Sequence, residues 1–158
     1  MRFGTGYDVT IPRSVDEVFH VLAHPENLEP LLRLSSLVTT FTLISSEPGP
    51  TPSTRVVTFE FGERVPMLPR GLYTATVTMR VEQTVDSESR RVDYWSQTKG
   101  GAALSVHKVR TFAAEGDSTK VSEVIQGEAP LGIHLIVRRT ARKAHIEHME
   151  SYIQLFEE

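Results

Sequence analysis

Arg138 and His145 draw attention because of the residues around them. With successive residues after Pro130 placed 100° apart on a helix, both fall within one broad apolar arc, together with Val137, Ala141, Ala144, Met149, Tyr152, Leu155 and Phe156. A guanidinium offers a planar fork suited to a carboxylate or an enolate, and an imidazole moves a proton near neutral pH. Two uses are open to the pair. They touch, or act on, a largely apolar molecule, or Arg138 snorkels from the helix's first turns while His145 bonds a sheet residue.

A buried cation requires a partner. Glu123 is a candidate, since it shares parity with Val121 and Ile125, although Val124 has the opposite parity and a solvated carboxylate is the rival reading. Tyr73 heads an alternating set with Ala75, Val77, Met79 and Val81, and its hydroxyl is a donor for a ligand oxygen. Tyr94 and Trp95 are adjacent in a strand, so one points in and the other out. His107 and Arg110 lie where alternation breaks, because Leu104, Val106 and Phe112 share parity with Lys108 and Arg110. A bulge there would account for the break. His20 and His24 are four apart, a spacing that suits a metal, but no third ligand accompanies them, nor His145 and His148, and no metal site is predicted.

These residues are carried by a simple succession of elements. Gly6–Ile11 alternates as a strand, and Pro12 ends it. Ser14-Val15-Asp16-Glu17 has the form of a capping box, followed by Val15, Val18, Phe19 and Leu22 at helical spacing. A second short helix starts at Pro25 and runs through Leu28, Leu31 and Leu32. From Ser36 to about Ala129 the period is two, with sets such as Leu37/Thr39/Phe41/Leu43 and Val57/Phe59/Phe61, and with short turns between runs. After Pro130 a helix of about 26 residues is expected. The fold class is α+β, with six to seven antiparallel strands in a single domain over residues 1–158.

Composition excludes several functions. The 158 residues contain no cysteine, which removes disulfide frameworks, thiolate metal sites and thiol catalysis. A net charge of -3 argues against a nucleic-acid binder. No apolar run approaches the ~20 residues of a membrane span. No apolar signal core follows Met1-Arg2-Phe3-Gly4, so the expected setting is cytoplasmic. No glycine-rich phosphate loop, His-Glu-x-x-His or Gly-x-Ser-x-Gly is present, and no cofactor is predicted.

Ile11-Pro12-Arg13-Ser14-Val15-Asp16-Glu17-Val18-Phe19, His24-Pro25-Glu26-Asn27-Leu28 and Gly116-Asp117-Ser118-Thr119-Lys120-Val121, in this order of elements, resemble the START/Bet v 1-like (SRPBCC) helix-grip proteins, in particular the polyketide cyclase/dehydrase-like branch. An aromatic common in the family after the second-helix start is replaced here by Leu31 and Leu32. The resemblance implies a curved antiparallel sheet around the long C-terminal helix, two short helices after the first strand, and an apolar cavity between sheet and helix. It also implies a small hydrophobic ligand. The expected lining is Phe59, Phe61, Tyr73, Val77, Tyr94, His107 and Glu123 from the sheet, with Arg138, Ala141, His145, Met149 and Tyr152 from the helix. Met67 and Leu68, in the segment Pro66–Gly71, are expected either to form the apolar flap that related proteins use as a lid at the cavity mouth or to pack as a loop on the sheet's rim. The expected activity is binding of a lipid, polyketide or similar molecule with a polar or anionic group. One alternative is a cyclase or dehydratase using Arg138, His145 and Tyr73, and another is a partner-binding regulatory module. Oligomeric state is left open.

Overall fold

The computed structural model describes residues 2–66, 73–99, 104–130 and 134–157. The chain opens with strand β1 (Arg2–Ile11), helix α1 (Val15–Ala23), a 3-10 turn (Pro25–Asn27) and the short helix α2 (Leu28–Leu32). Six strands follow: β2 (Val38–Pro48), β3 (Thr54–Pro66), β4 (Thr74–Asp86), β5 (Arg91–Thr98), β6 (Ser105–Glu115) and β7 (Ser118–Glu128). Helix α3 (His134–Glu150) and a 3-10 turn (Ser151–Phe156) complete the described chain.

The strands form one curved antiparallel sheet in the order β1-β7-β6-β5-β4-β3-β2. Consecutive strands pair as neighbours, except that β1 pairs with β7 and lies at the edge opposite β2. The chain therefore crosses from one edge of the sheet to the other through α1 and α2. The Ser14 hydroxyl accepts the Glu17 N–H at 3.4 Å and caps α1. Val18, Leu22 and Ala23 of α1 are buried, and Phe19 meets Phe112 of β6 edge-on at 5.2 Å. The core continues through Val57, Phe59, Val81, Val92, Tyr94, Val121, Met149 and Tyr152.

Three local expectations are corrected. Strand β6 pairs with β5 and β7 in continuous register, without a bulge. Lys108 and Arg110 simply occupy the same inward parity as Val106 and Phe112, so what breaks along β6 is the apolar character of the face and not its alternation. The C-terminal helix does not remain α-helical to its end. The Ser151 hydroxyl donates to the His148 carbonyl at 2.6 Å, and the chain tightens into the 3-10 turn there. Finally, β4 begins at Thr74, so Tyr73 lies just outside the strand and is 57% exposed.

Glycine is required where β7 meets the first strand. The Phe3 ring lies directly over Gly127, and a Cβ at that position would overlap Phe3 Cζ and approach the Ser105 carbonyl oxygen to 2.9 Å. Gly127→Ala should therefore destabilise the protein by about 1–3 kcal/mol, the usual cost of overpacking. Urea denaturation measures this, and an unchanged midpoint would contradict the close packing.

Candidate functional site

The polar centre is built on the β6–β7 hairpin. Its two-residue turn has Gly116 at φ +60°, the left-handed conformation required at the first position of a type II′ turn. The turn pairs Glu115 with Ser118, and counting back along the ladder sets Arg110 opposite Glu123. Both residues have inward parity, and both are buried.

Arg110 Nε donates to Glu123 Oε2 at 2.8 Å. Its Nη1 donates to the Leu22 carbonyl at 2.8 Å and to the Tyr94 hydroxyl at 2.7 Å, and its Nη2 donates to the Tyr152 hydroxyl at 2.8 Å. The Tyr152 hydroxyl in turn donates to Glu123 Oε2. On the other carboxylate oxygen, His145 Nε2 donates at 3.2 Å and Lys108 Nζ lies 3.6 Å away. Lys108 Nζ also sits 4.4 Å from the centre of the Tyr94 ring, a cation–π distance.

Burial alone would push the Glu123 carboxyl up, but Arg110 and then Lys108 outweigh it and hold it well below the usual carboxylate range. Lys108 is pushed down by burial, and the pull of Glu123 only partly restores it. Burial pushes both Tyr94 and Tyr152 up, so both stay neutral. His145 Nδ1 is buried without a hydrogen-bond partner among the described residues.

Beside this cluster, between the sheet and α3, lies a cavity of about 200 Å³. Phe3, Phe61, Met79, Leu104, Val106, Ile125 and Ala141 give it mostly apolar walls, and Lys108, Arg64 and Glu63 bring charge to it. Burial pushes the Glu63 carboxyl up, and Lys108 draws it partly back. A larger open groove of about 760 Å³ lies on the outer face of the sheet around Trp95 and His107. Those two rings stack at 3.6 Å, and His107 Nε2 is 2.9 Å from Asp93 Oδ1.

The residues singled out from sequence fall into distinct places. Glu123, Tyr94, Tyr152 and His145 meet in the buried cluster, and Phe61 and Ala141 line the cavity. Phe59 and Met149 are buried in the core, and Val77 is half-buried opposite Glu63. His107 is on the outer face with Trp95. Arg138 is exposed in a surface groove with Arg139, Arg142 and Lys143, its long stem carrying the charge to water. No hydrogen bond, ion pair or ring contact joins Tyr73 or Arg138 to His145 among the described residues. Met67 and Leu68 lie outside the described residues. His24 Nδ1 accepts the Glu26 N–H and caps the turn after α1, with the His20 ring 4.9 Å away.

Lys108, Arg110 and Glu63 are absent from the lining expected from sequence, although the break in alternation marks Arg110 as able to reach the cavity. Each stands in an otherwise apolar parity set, Leu104/Val106/Phe112 for the first two and Val57/Phe59/Phe61 for Glu63. That is the signal that marks them.

Compared with known protein families, the sequence matches none, and no curated protein matches it. Solved structures align over nearly the whole chain. An aromatase/cyclase from Streptomyces sp. R1128 aligns at 9% identity over 98% of this chain and 93% of its own, with a TM-score of 0.71. Norcoclaurine synthase from Thalictrum flavum aligns at 14% identity over 100% and 88%, with a TM-score of 0.65. A START superfamily protein from Mycobacterium smegmatis aligns at 12% identity over 96% and 94%, with a TM-score of 0.65. The chain thus has the helix-grip fold of START and Bet v 1-like proteins. No helix among the described residues is long and apolar enough to cross a membrane.

Stability should fall in mild acid because of His148. Its Nε2 donates to the Leu31 carbonyl at 2.7 Å, and burial, with Lys108 adding to it, lowers its pKa from 6.5 to about 4. A depressed folded pKa means that the unfolded chain takes up the proton first. The stabilisation is therefore complete above pH 6.5 and is lost as pH falls from there towards 4. At about 1.4 kcal/mol per pH unit, stability at pH 5 should be about 2 kcal/mol below that at pH 7 from this group. Urea titrations at both pH values should show a smaller difference for His148→Gln. Equal differences in the two proteins would place the acid sensitivity elsewhere.

Proposed function

We propose that the protein binds a small, largely apolar molecule bearing an anionic or strongly polar group in the cavity between the sheet and α3. The observation that carries this reading is the charge imbalance at the cavity wall. Two cations, Arg110 and Lys108, share the single carboxylate of Glu123, and Lys108 also lines the cavity. Glu63 also lines the cavity, where burial pushes its carboxyl up, and Arg64 adds a further cation to the lining. An anionic group at Lys108 would balance the site, while the rest of the molecule contacts Phe61, Met79 and Ile125.

Size narrows the class. An apolar cavity of roughly 150 Å³ takes benzene, so about 200 Å³ suits a single substituted ring or a short acyl chain. The neighbours named as an aromatase/cyclase and a norcoclaurine synthase are compatible with ring-bearing ligands, and the fold leaves the ligand open.

Catalysis is a second reading, favoured by one feature: Glu123 orients His145 through Nε2, while the buried Nδ1 has no partner among the described residues. A base oriented by a carboxylate is a common catalytic arrangement. Turnover of a bound ligand that is lost in His145→Ala would establish this reading, and recovery of the ligand unchanged would remove it.

The binding reading is tested by titrating benzoate and methyl benzoate into the wild type and Lys108→Met. A charge-assisted hydrogen bond contributes about 1.5–3 kcal/mol, so benzoate should bind the wild type about ten- to a hundredfold more tightly than the ester. The variant should lose that preference and keep its affinity for the ester. Equal affinities in the wild type would remove Lys108 as the recognition group.

A further inference from the structure

We infer that Lys108 is a carbonyl-trapping amine, condensing reversibly with a small aldehyde or ketone held in the cavity between the sheet and α3. This inference rests on the binding site proposed above. Three features of the geometry point to it. Lys108 lines the cavity with its side chain 19% exposed, within reach of a guest yet largely removed from water. It is the only lysine so placed among the described residues: Lys99, Lys120 and Lys143 have side chains 60%, 41% and 79% exposed. Its neighbour Arg110 is bonded to Glu123 and cannot give up its charge, so Lys108 is the cation that can relieve the excess by losing a proton.

The reaction needs no reagent beyond the guest and a proton relay. The neutral amine's lone pair attacks the carbonyl carbon, forming a C–N bond as the C=O π bond opens. One proton moves from nitrogen to oxygen to give the carbinolamine. An acid then protonates its hydroxyl, water leaves, and loss of the remaining N–H proton gives the neutral imine. Glu63 lies in the same cavity and is suited to that relay, because burial favours the protonated carboxyl. Of the groups around Lys108, Glu123 and Glu63 favour the ammonium and Arg110 opposes it, while Arg64 lines the same cavity. His148, whose pKa Lys108 helps to lower to about 4, is uncharged at neutral pH, and the Tyr94 ring receives the ammonium on its face. Burial is the largest influence, and it favours the amine.

The test is to incubate the protein with benzaldehyde and sodium cyanoborohydride at pH 7 and to map N-benzylation by peptide mass spectrometry, with benzoate affinity measured separately. Lys108 should be labelled at least about tenfold faster than Lys99, Lys120 or Lys143, as expected for a desolvated amine. The selectivity should shrink as the pH rises towards 10, where the exposed lysines also lose their protons. Benzoate should slow the labelling of Lys108 alone. Lys108→Arg, which has no amine able to condense, should lose the selective adduct. Labelling of all four lysines at similar rates, or no adduct while benzoate still binds, overturns the inference and leaves the binding site standing. Absence of both adduct and benzoate binding overturns the two together.

Discussion

A guanidinium enclosed by an apolar sheet must find a partner for nearly every N–H it carries, because an unpaired buried charge is among the costliest features a fold can contain. Arg110 meets that demand with four hydrogen bonds drawn from four different elements: Glu123 of β7, Tyr94 of β5, the Leu22 carbonyl of α1 and Tyr152 of the C-terminal 3-10 turn. The Leu22 carbonyl belongs to the last turn of α1, where helix carbonyls lack partners within the helix, so one side chain both satisfies its own charge and caps α1. His148 does the same for α2 through Leu31. The two short helices and the C-terminal turn are thus tied to one polar centre in the middle of the sheet.

That centre also determines the character of the cavity. Apolar packing alone would leave a plain greasy pocket. The excess of cations over carboxylates gives it a directional polar end, located at Lys108. The electrostatics that stabilise the ionised Glu123 and those that weaken Lys108's hold on its proton come from the same few ångströms of structure. Arg110 and Glu123 anchor the fold, and Lys108, next in the same inward row, lines the cavity.

The sheet and its helices could be read from the sequence because most strands keep their period and α1 starts at a side-chain cap, Ser14. The polar centre was partly legible. Glu123 betrayed itself by parity with Val121 and Ile125, and Tyr94 was one of two choices that parity alone could not separate. Lys108 and Arg110 were harder to read because cations in an apolar row look like a slipped register. The hairpin contained the answer, since a two-residue turn at Gly116-Asp117 makes Arg110 face Glu123, and a cation opposite an acid on an inward row is a buried pair. Arg138 illustrates a different limit. An angular position on a helix gives the direction of Cβ, whereas a long flexible stem decides where the charge ends.

The most direct test of the account is a crystal structure of the protein soaked with 4-bromobenzoate, in which the anomalous signal of bromine locates the guest without ambiguity. The account predicts a bromine between the sheet and α3 beside Phe61 and Met79, with the carboxylate within hydrogen-bond distance of Lys108 Nζ. Bromine found only in the outer groove at Trp95 and His107, or no site at all in a crystal whose cavity is open to solvent, would contradict it.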